Sequence, residues 1–188
     1  PYLSEWFGDF GPIVNNIPTF FLLFLIGSIV LFYNMVKKVE LRERIILTIS
    51  YLIALSGITF SRYSPNHLFN GVNTQSTLFY FGSILIMVVA LLYTLYNYDK
   101  NSKRELLDLD IGPLIVLSLS FISILAARGG VRFIMVLVPA VSIIVAYLCI
   151  FTIEKTIKSK KESSKVFLWI IVFILLIASI NATNEFYK

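Results

Sequence analysis

Apolar residues gather in six runs separated by short polar or charged connections, at about 17–36, 45–61, 76–96, 109–127, 131–151 and 166–181. Roughly 20 residues rising about 1.5 Å each are enough to cross the hydrocarbon core of a bilayer. The pattern therefore predicts an all-α membrane protein, a polytopic helical bundle with about six transmembrane helices filling residues 17–181. The second and sixth runs are shorter than that length asks for. Pro18 and Pro113 fall near the starts of the first and fourth runs, where a missing backbone N–H costs little. Residues 1–16 then read as the end of an external loop, and 182–188 as the start of a further external segment.

Charge orients this bundle. Lys37, Lys38, Arg42 and Arg44 follow the first run; Lys100, Lys103 and Arg104 follow the third; Lys155, Lys158, Lys160, Lys161 and Lys165 follow the fifth. The opposite connections and ends carry only Arg62, Arg128, Arg132 and Lys188. The positive-inside rule places the three Lys/Arg-rich loops in the cytoplasm and both ends of the sequence outside, giving a multi-pass protein of the cell membrane. Composition agrees: 57% of the 188 residues are apolar and 14% charged, with a mean hydropathy of +0.83. A net charge of +5 would suggest nucleic acid in a soluble protein, but here the basic residues sit between apolar runs and describe topology, so no nucleic-acid partner is expected.

The single cysteine, Cys149, lies within an apolar run, which excludes a disulfide framework and a thiolate metal site and leaves packing as its role. Pro1 opens on polar and aromatic residues without a leader pattern, and Glu185 to Lys188 follow directly on a hydrophobic run, so both ends are expected to be interior points of a longer chain. "KSKKESSK" at 158–165 is a solvated linker.

Candidate chemistry gathers on the external side. In "AARGGVRFIMVLVP", Arg128 and Arg132 are four apart and would share one face of a continuous helix. Gly129 and Gly130 favour instead a tight hairpin between the fourth and fifth spans. Arg132 is then expected in the first turn of the fifth helix, where free N–H groups and the positive dipole end attract a phosphate, and where a guanidinium adds bidentate hydrogen bonds. Pro139, inside that helix, removes one hydrogen bond, leaves the Met135 carbonyl without its usual donor and bends the axis. The competing reading is that both arginines reach only to the phosphates of surrounding lipid headgroups.

The other outward stretches offer less. "RYSPNHLFNG" contains Arg62 and the only histidine, His67, but zinc needs three or four protein ligands, so no metal site is expected there. Pro65, Asn66, Asn70 and Gly71 point to an ordered loop, with Arg62 as a headgroup anchor. Glu5 and Asp9 could form a carboxylate pair, although Trp6, Phe7 and Phe10 around them read as an interfacial aromatic belt. Asn181-Ala182-Thr183 is an N-x-T sequon that could accept a glycan. The sequence holds no nucleotide-binding loop, no Ser/His/Asp set and no metal cluster, and no charge falls in the middle of a span. By itself the chain is not a complete reaction centre.

Three stretches carry a resemblance. "ARGGVRFIMVLVPAVSIIVAYL" resembles a segment of the oligosaccharyltransferase catalytic subunit, particularly its archaeal form, in which a small-residue turn precedes an arginine, an apolar run and a proline. "PYLSEWFGDFGP" is similar to the end of that family's large fifth external loop, and "SRYSPNHLFNGVNTQSTLFYFGS" to a stretch of some archaeal members. The matches cover about a third of the chain. They imply a GT-C type membrane enzyme that moves a glycan from a polyprenyl (dolichyl) phosphate or diphosphate carrier onto the Asn of an N-x-S/T sequon. In this reading Arg132, assisted by Arg128, contacts the donor phosphate.

The partners so implied are the lipid-linked donor, a sequon-bearing acceptor protein and membrane lipids. A divalent metal, Mg or Mn, is the implied cofactor, held by carboxylates outside this sequence. The family's loop glutamate would fall before Pro1, and its Trp-Trp-Asp motif beyond Lys188 in a soluble domain. The family also implies about four spans after the loop where hydropathy gives six, which leaves the pair around "RYSPNHLFNG" as an addition or the count as too high. Two further expectations stay open: another membrane glycosyltransferase using a polyprenyl-phosphate sugar, and a non-enzymatic subunit or transporter bundle.

Overall fold

The structure, a computed structural model, describes residues 19–100, 110–129 and 134–159, together with residues 166, 169, 170, 172, 173, 177 and 180. Among these it is all-helical. Five helices follow in order: α1 Thr19–Met35, α2 Leu41–Phe60, α3 Thr74–Lys100, α4 Ile111–Gly129 and α5 Ile134–Lys158. The described residues between 166 and 180 are helical as well. Three segments, Leu41–Phe60, Thr74–Tyr98 and Val136–Lys158, are long and apolar enough to cross a membrane; Phe20–Met35 and Ile111–Ala127 are shorter apolar helices.

The helices outrun their hydrophobic stretches. α2 begins at Leu41 rather than near 45, α3 runs to Lys100 rather than 96, and α5 continues to Lys158 rather than ending near 151. Arg42, Arg44, Lys155 and Lys158 therefore stand on helical turns instead of in loops. Hydropathy marks only the part of a helix that sits in hydrocarbon, whereas the backbone ladder continues until a breaker or cap stops it. On α5 the added turns are held partly by Glu154 and Lys158, an i,i+4 pair at 3.2 Å.

Two hairpins, α2 with α3 and α4 with α5, make the closest-packed pairs, and α1 lies between them, mainly against α5. α1 and α5 run parallel: Gly27 meets Ile144, and further along Asn34 Nδ2 donates to Tyr147 Oη at 3.1 Å. Small residues allow these approaches. A Cβ on Gly27 would stand 3.0 Å from the Ile144 carbonyl oxygen, and one on Gly57 would stand 2.4 Å from Ser83 Cβ. In lipid there is little hydrophobic gain from joining two apolar helices, so close backbone contact through Gly, Ala, Ser and Thr supplies much of the association energy. Ser50, Ala54 and Gly57 form such a stripe on α2, facing Ser83, Ala90 and Thr94 of α3, all of them buried.

Several buried hydroxyls are satisfied within their own helices, whereas the buried Ser123 Oγ has no hydrogen-bond partner among the described residues. Thr59 donates to the Leu55 carbonyl, Thr94 to Ala90 and Thr152 to Leu148, at 2.7 to 2.9 Å. These polar groups can thus be buried without the several kcal/mol an unbonded group would cost. Between α1 and α2, Phe32 and Tyr51 stack with centroids 4.3 Å apart. Cys149, half-buried, packs against the core cluster, as a small apolar side chain would.

Candidate functional site

Chain direction places the start of α1, the end of α2, the start of α3 and the α4–α5 junction at one end of the bundle. α4 runs through Arg128 and closes at Gly129, so the first arginine and first glycine of the motif belong to a helix rather than to the expected hairpin; α5 is described from Ile134, and the two helices pack on each other. Pro139 is the sixth residue of α5 and is exposed. The Arg128 side chain, all of Arg132, Glu5, Asp9 and Asn181 lie outside the described residues.

Next to that junction in the topology, residues 61–73 form an ordered loop. Arg62 and Asn70 pair as an antiparallel bridge, and Tyr63 N donates to the Phe69 carbonyl at 2.7 Å. The loop closes on asparagine. Asn70 Oδ1 accepts from the amides of Val72 and Asn73, each at 2.9 Å, while Asn73 Oδ1 caps α3 by accepting from Ser76 N at 2.9 Å. Asn73 Nδ2 also donates to the Leu68 carbonyl. Gly71 adopts φ +87°, and a Cβ there would meet Arg62 Cγ at 2.2 Å. Arg62 is therefore built into the loop, its aliphatic stem lying over Gly71. His67 does structural work too: its Nδ1 accepts from Phe69 N at 3.3 Å, and its ring lies 4.8 Å from that of Tyr63.

The opposite end gathers the basic residues. Arg44, in the first turn of α2, donates from Nη2 to the Lys37 carbonyl at 2.6 Å and from Nη1 to Tyr33 Oη at 3.4 Å; its guanidinium lies 5.2 Å from the Tyr33 ring centre. It thereby occupies the carbonyl groups of Lys37 and Val39 in the connection between α1 and α2. Glu40 N donates to Tyr98 Oη at 3.0 Å, tying the foot of α2 to that of α3. Glu43 is buried in the first turn of α2, where the helix dipole favours a carboxylate, and its Oε2 has no hydrogen-bond partner.

Between α1, α2 and α5 this end opens a cleft of about 260 Å³. Ile29, Val30 and Phe151 form its apolar wall, and Tyr33, Asn34, Thr48 and Lys155 its polar part. Lys155 Nζ sits 5.0 Å from the centre of the Phe151 ring. The sequence pattern did not reveal this cleft, because it placed Lys155 in a loop and gave no register between α1 and α5. The one local signal is Asn34, a lone amide closing an otherwise apolar helix beside Tyr33.

Among the described residues no three His, Cys, Asp or Glu side chains come together as a group that could hold a metal ion. Comparison with protein-family models, curated proteins and solved structures finds no match for this chain.

Proposed function

We propose that this chain is the donor-binding membrane part of an oligosaccharyltransferase-like enzyme of the GT-C type, its sixth span lying within 166–181 and its Lys/Arg-rich loops facing the cytoplasm. The observation that carries the reading is that α4 ends just past Arg128 and α5 is described from just past Arg132, at the end of the bundle away from the Lys-rich connections. A helix start supplies unsatisfied N–H groups, and an arginine beside it supplies a fixed positive charge; together they suit a phosphate. Pro139 is exposed on the second turn of α5, and the ladder bond it lacks loosens the helix beside that phosphate position.

In this proposal Arg132 binds the phosphate of a polyprenyl-linked sugar and Arg128 assists or anchors the turn. As the glycosidic bond to the carrier breaks, negative charge grows on the phosphate oxygens. A guanidinium already in place then stabilises the transition state more than the bound donor. The carboxylates and the acceptor-reading domain belong to sequence outside this segment.

The test is transfer of glycan from a lipid-linked donor to an N-x-T peptide by the full-length protein in membranes. Arg132→Ala should lower transfer more than about tenfold, equivalent to about 1.4 kcal/mol of transition-state stabilisation. Arg132→Lys, which keeps the charge but loses the fork, should fall between the two. Near-normal transfer by a well-folded Arg132→Ala protein would remove the assignment.

A further inference from the structure

The cleft at the basic end lies at the opposite end of the bundle from the arginine segment and plays no part in the proposed transfer. Its construction is amphiphilic. Ile29, Val30 and Phe151 offer apolar walls, and α1 continues this face toward the bundle's middle through the exposed Ile26. Its polar groups collect at the end where Arg42, Arg44 and Lys158 also stand. Tyr33 accepts a hydrogen bond from Arg44 and keeps its own O–H to donate; Asn34 uses one amide N–H on Tyr147 and keeps the other.

Lys155 decides the charge of the site. Glu154, its neighbour, is taken by Lys158 at 3.2 Å, so among the described residues Lys155 has no carboxylate and rests on the Phe151 ring alone. Among the described residues the other acidic side chains at this end are Glu40, Glu43 and Asp110; Glu43 is buried within α2, and Asp110, just before α4, faces Tyr147 and makes no ion pair with Lys155. An ammonium without a carboxylate, two free hydrogen-bond donors and an apolar wall within one cleft between membrane helices complement a phosphate head with an acyl chain attached.

We propose that this cleft seats one anionic phospholipid of the leaflet at the Lys/Arg-rich end, with the phosphate held by Lys155, Tyr33 and Asn34 and an acyl chain running along Ile29, Val30 and Phe151. The seat joins α5 to α1, since both helices line the cavity. The inference rests on the chain's residence in a membrane and not on glycan transfer, so the two readings fail separately.

The test is native mass spectrometry of the full-length protein in mild detergent, titrated with dioleoylphosphatidylglycerol or with dioleoylphosphatidylcholine. The expected result is a one-lipid adduct favoured for phosphatidylglycerol, weakened about fivefold by Lys155→Gln and little changed by Lys158→Gln, on the basis of about 1 kcal/mol for one lysine facing an anionic headgroup. Val30→Trp, which fills the apolar wall, should weaken the adduct while leaving the charge intact. Equal binding of the two lipids, or equal losses from Lys155→Gln and Lys158→Gln, would overturn the seat in favour of a diffuse basic surface. Displacement of the lipid by millimolar inorganic phosphate would overturn it in favour of a plain anion site.

Discussion

Replacing Gly57 by alanine tests whether close helix approach holds α2 to α3. The added Cβ would lie 1.9 Å from Ser83 Oγ, 2.4 Å from Ser83 Cβ and 3.0 Å from the Phe79 carbonyl oxygen. Rotating the Ser83 hydroxyl removes the first clash and leaves the second, because a Cβ moves only with its backbone. Carbon atoms pack at about 3.5 to 4.0 Å, so the helices must part by about 1 Å along this line. That shift loosens the adjoining contacts of Ala54 and Ala90 as well.

Overpacking of this kind costs typically 1–3 kcal/mol. A value near 2 kcal/mol corresponds to about a 30-fold change in the folding equilibrium. The assay is reversible unfolding in mixed micelles, comparing the parent, Gly57→Ala, Ser83→Gly and the double variant. Removing the Ser83 side chain should restore most of what Gly57→Ala loses, giving a coupling energy above about 1 kcal/mol between two touching positions. Additive losses, or a Gly57→Ala protein as stable as the parent, would refute the argument that this contact sets the α2–α3 distance.

Two further predictions concern the loop between these helices. Asn73→Ala removes the cap on α3 and the tie to Leu68 together, and should cost about 1–2 kcal/mol, seen as faster amide exchange over the first turn of α3. Gly71→Ala places a side chain at φ +87° and against Arg62, so the loop should become protease-sensitive while the helices remain folded; unchanged cleavage at 61–73 would contradict that strain.

The α2–α3 loop was legible because its signals are local. Pro65, Asn66, Asn70 and Gly71 mark a turn by their own backbone chemistry, and the structure adds only which asparagine oxygen meets which amide. Arg62 was less legible. As an exposed cation it reads as a headgroup anchor, while its packing over Gly71 depends on a bridge between residues eight apart. The candidate phosphate site was read only from a motif of two arginines around two glycines; the structure carries α4 through Arg128 and Gly129, further than the glycine pair suggested, because a helix can continue to its C-terminal glycine.

The sequence alone determined that this is a helical protein with apolar segments long enough for a membrane, because segment length, breakers and charge at the connections act through the chain's immediate neighbourhood. It did not determine which faces meet. A helix in lipid is apolar on nearly every side, so the apolar stripe that marks the inner face of a soluble helix is absent. Pairing is chosen instead by small residues that fit across space, as Gly27 fits Ile144 and Gly57 fits Ser83. Only the tertiary structure could show that choice, and with it the cleft where α1, α2 and α5 leave room beside Lys155.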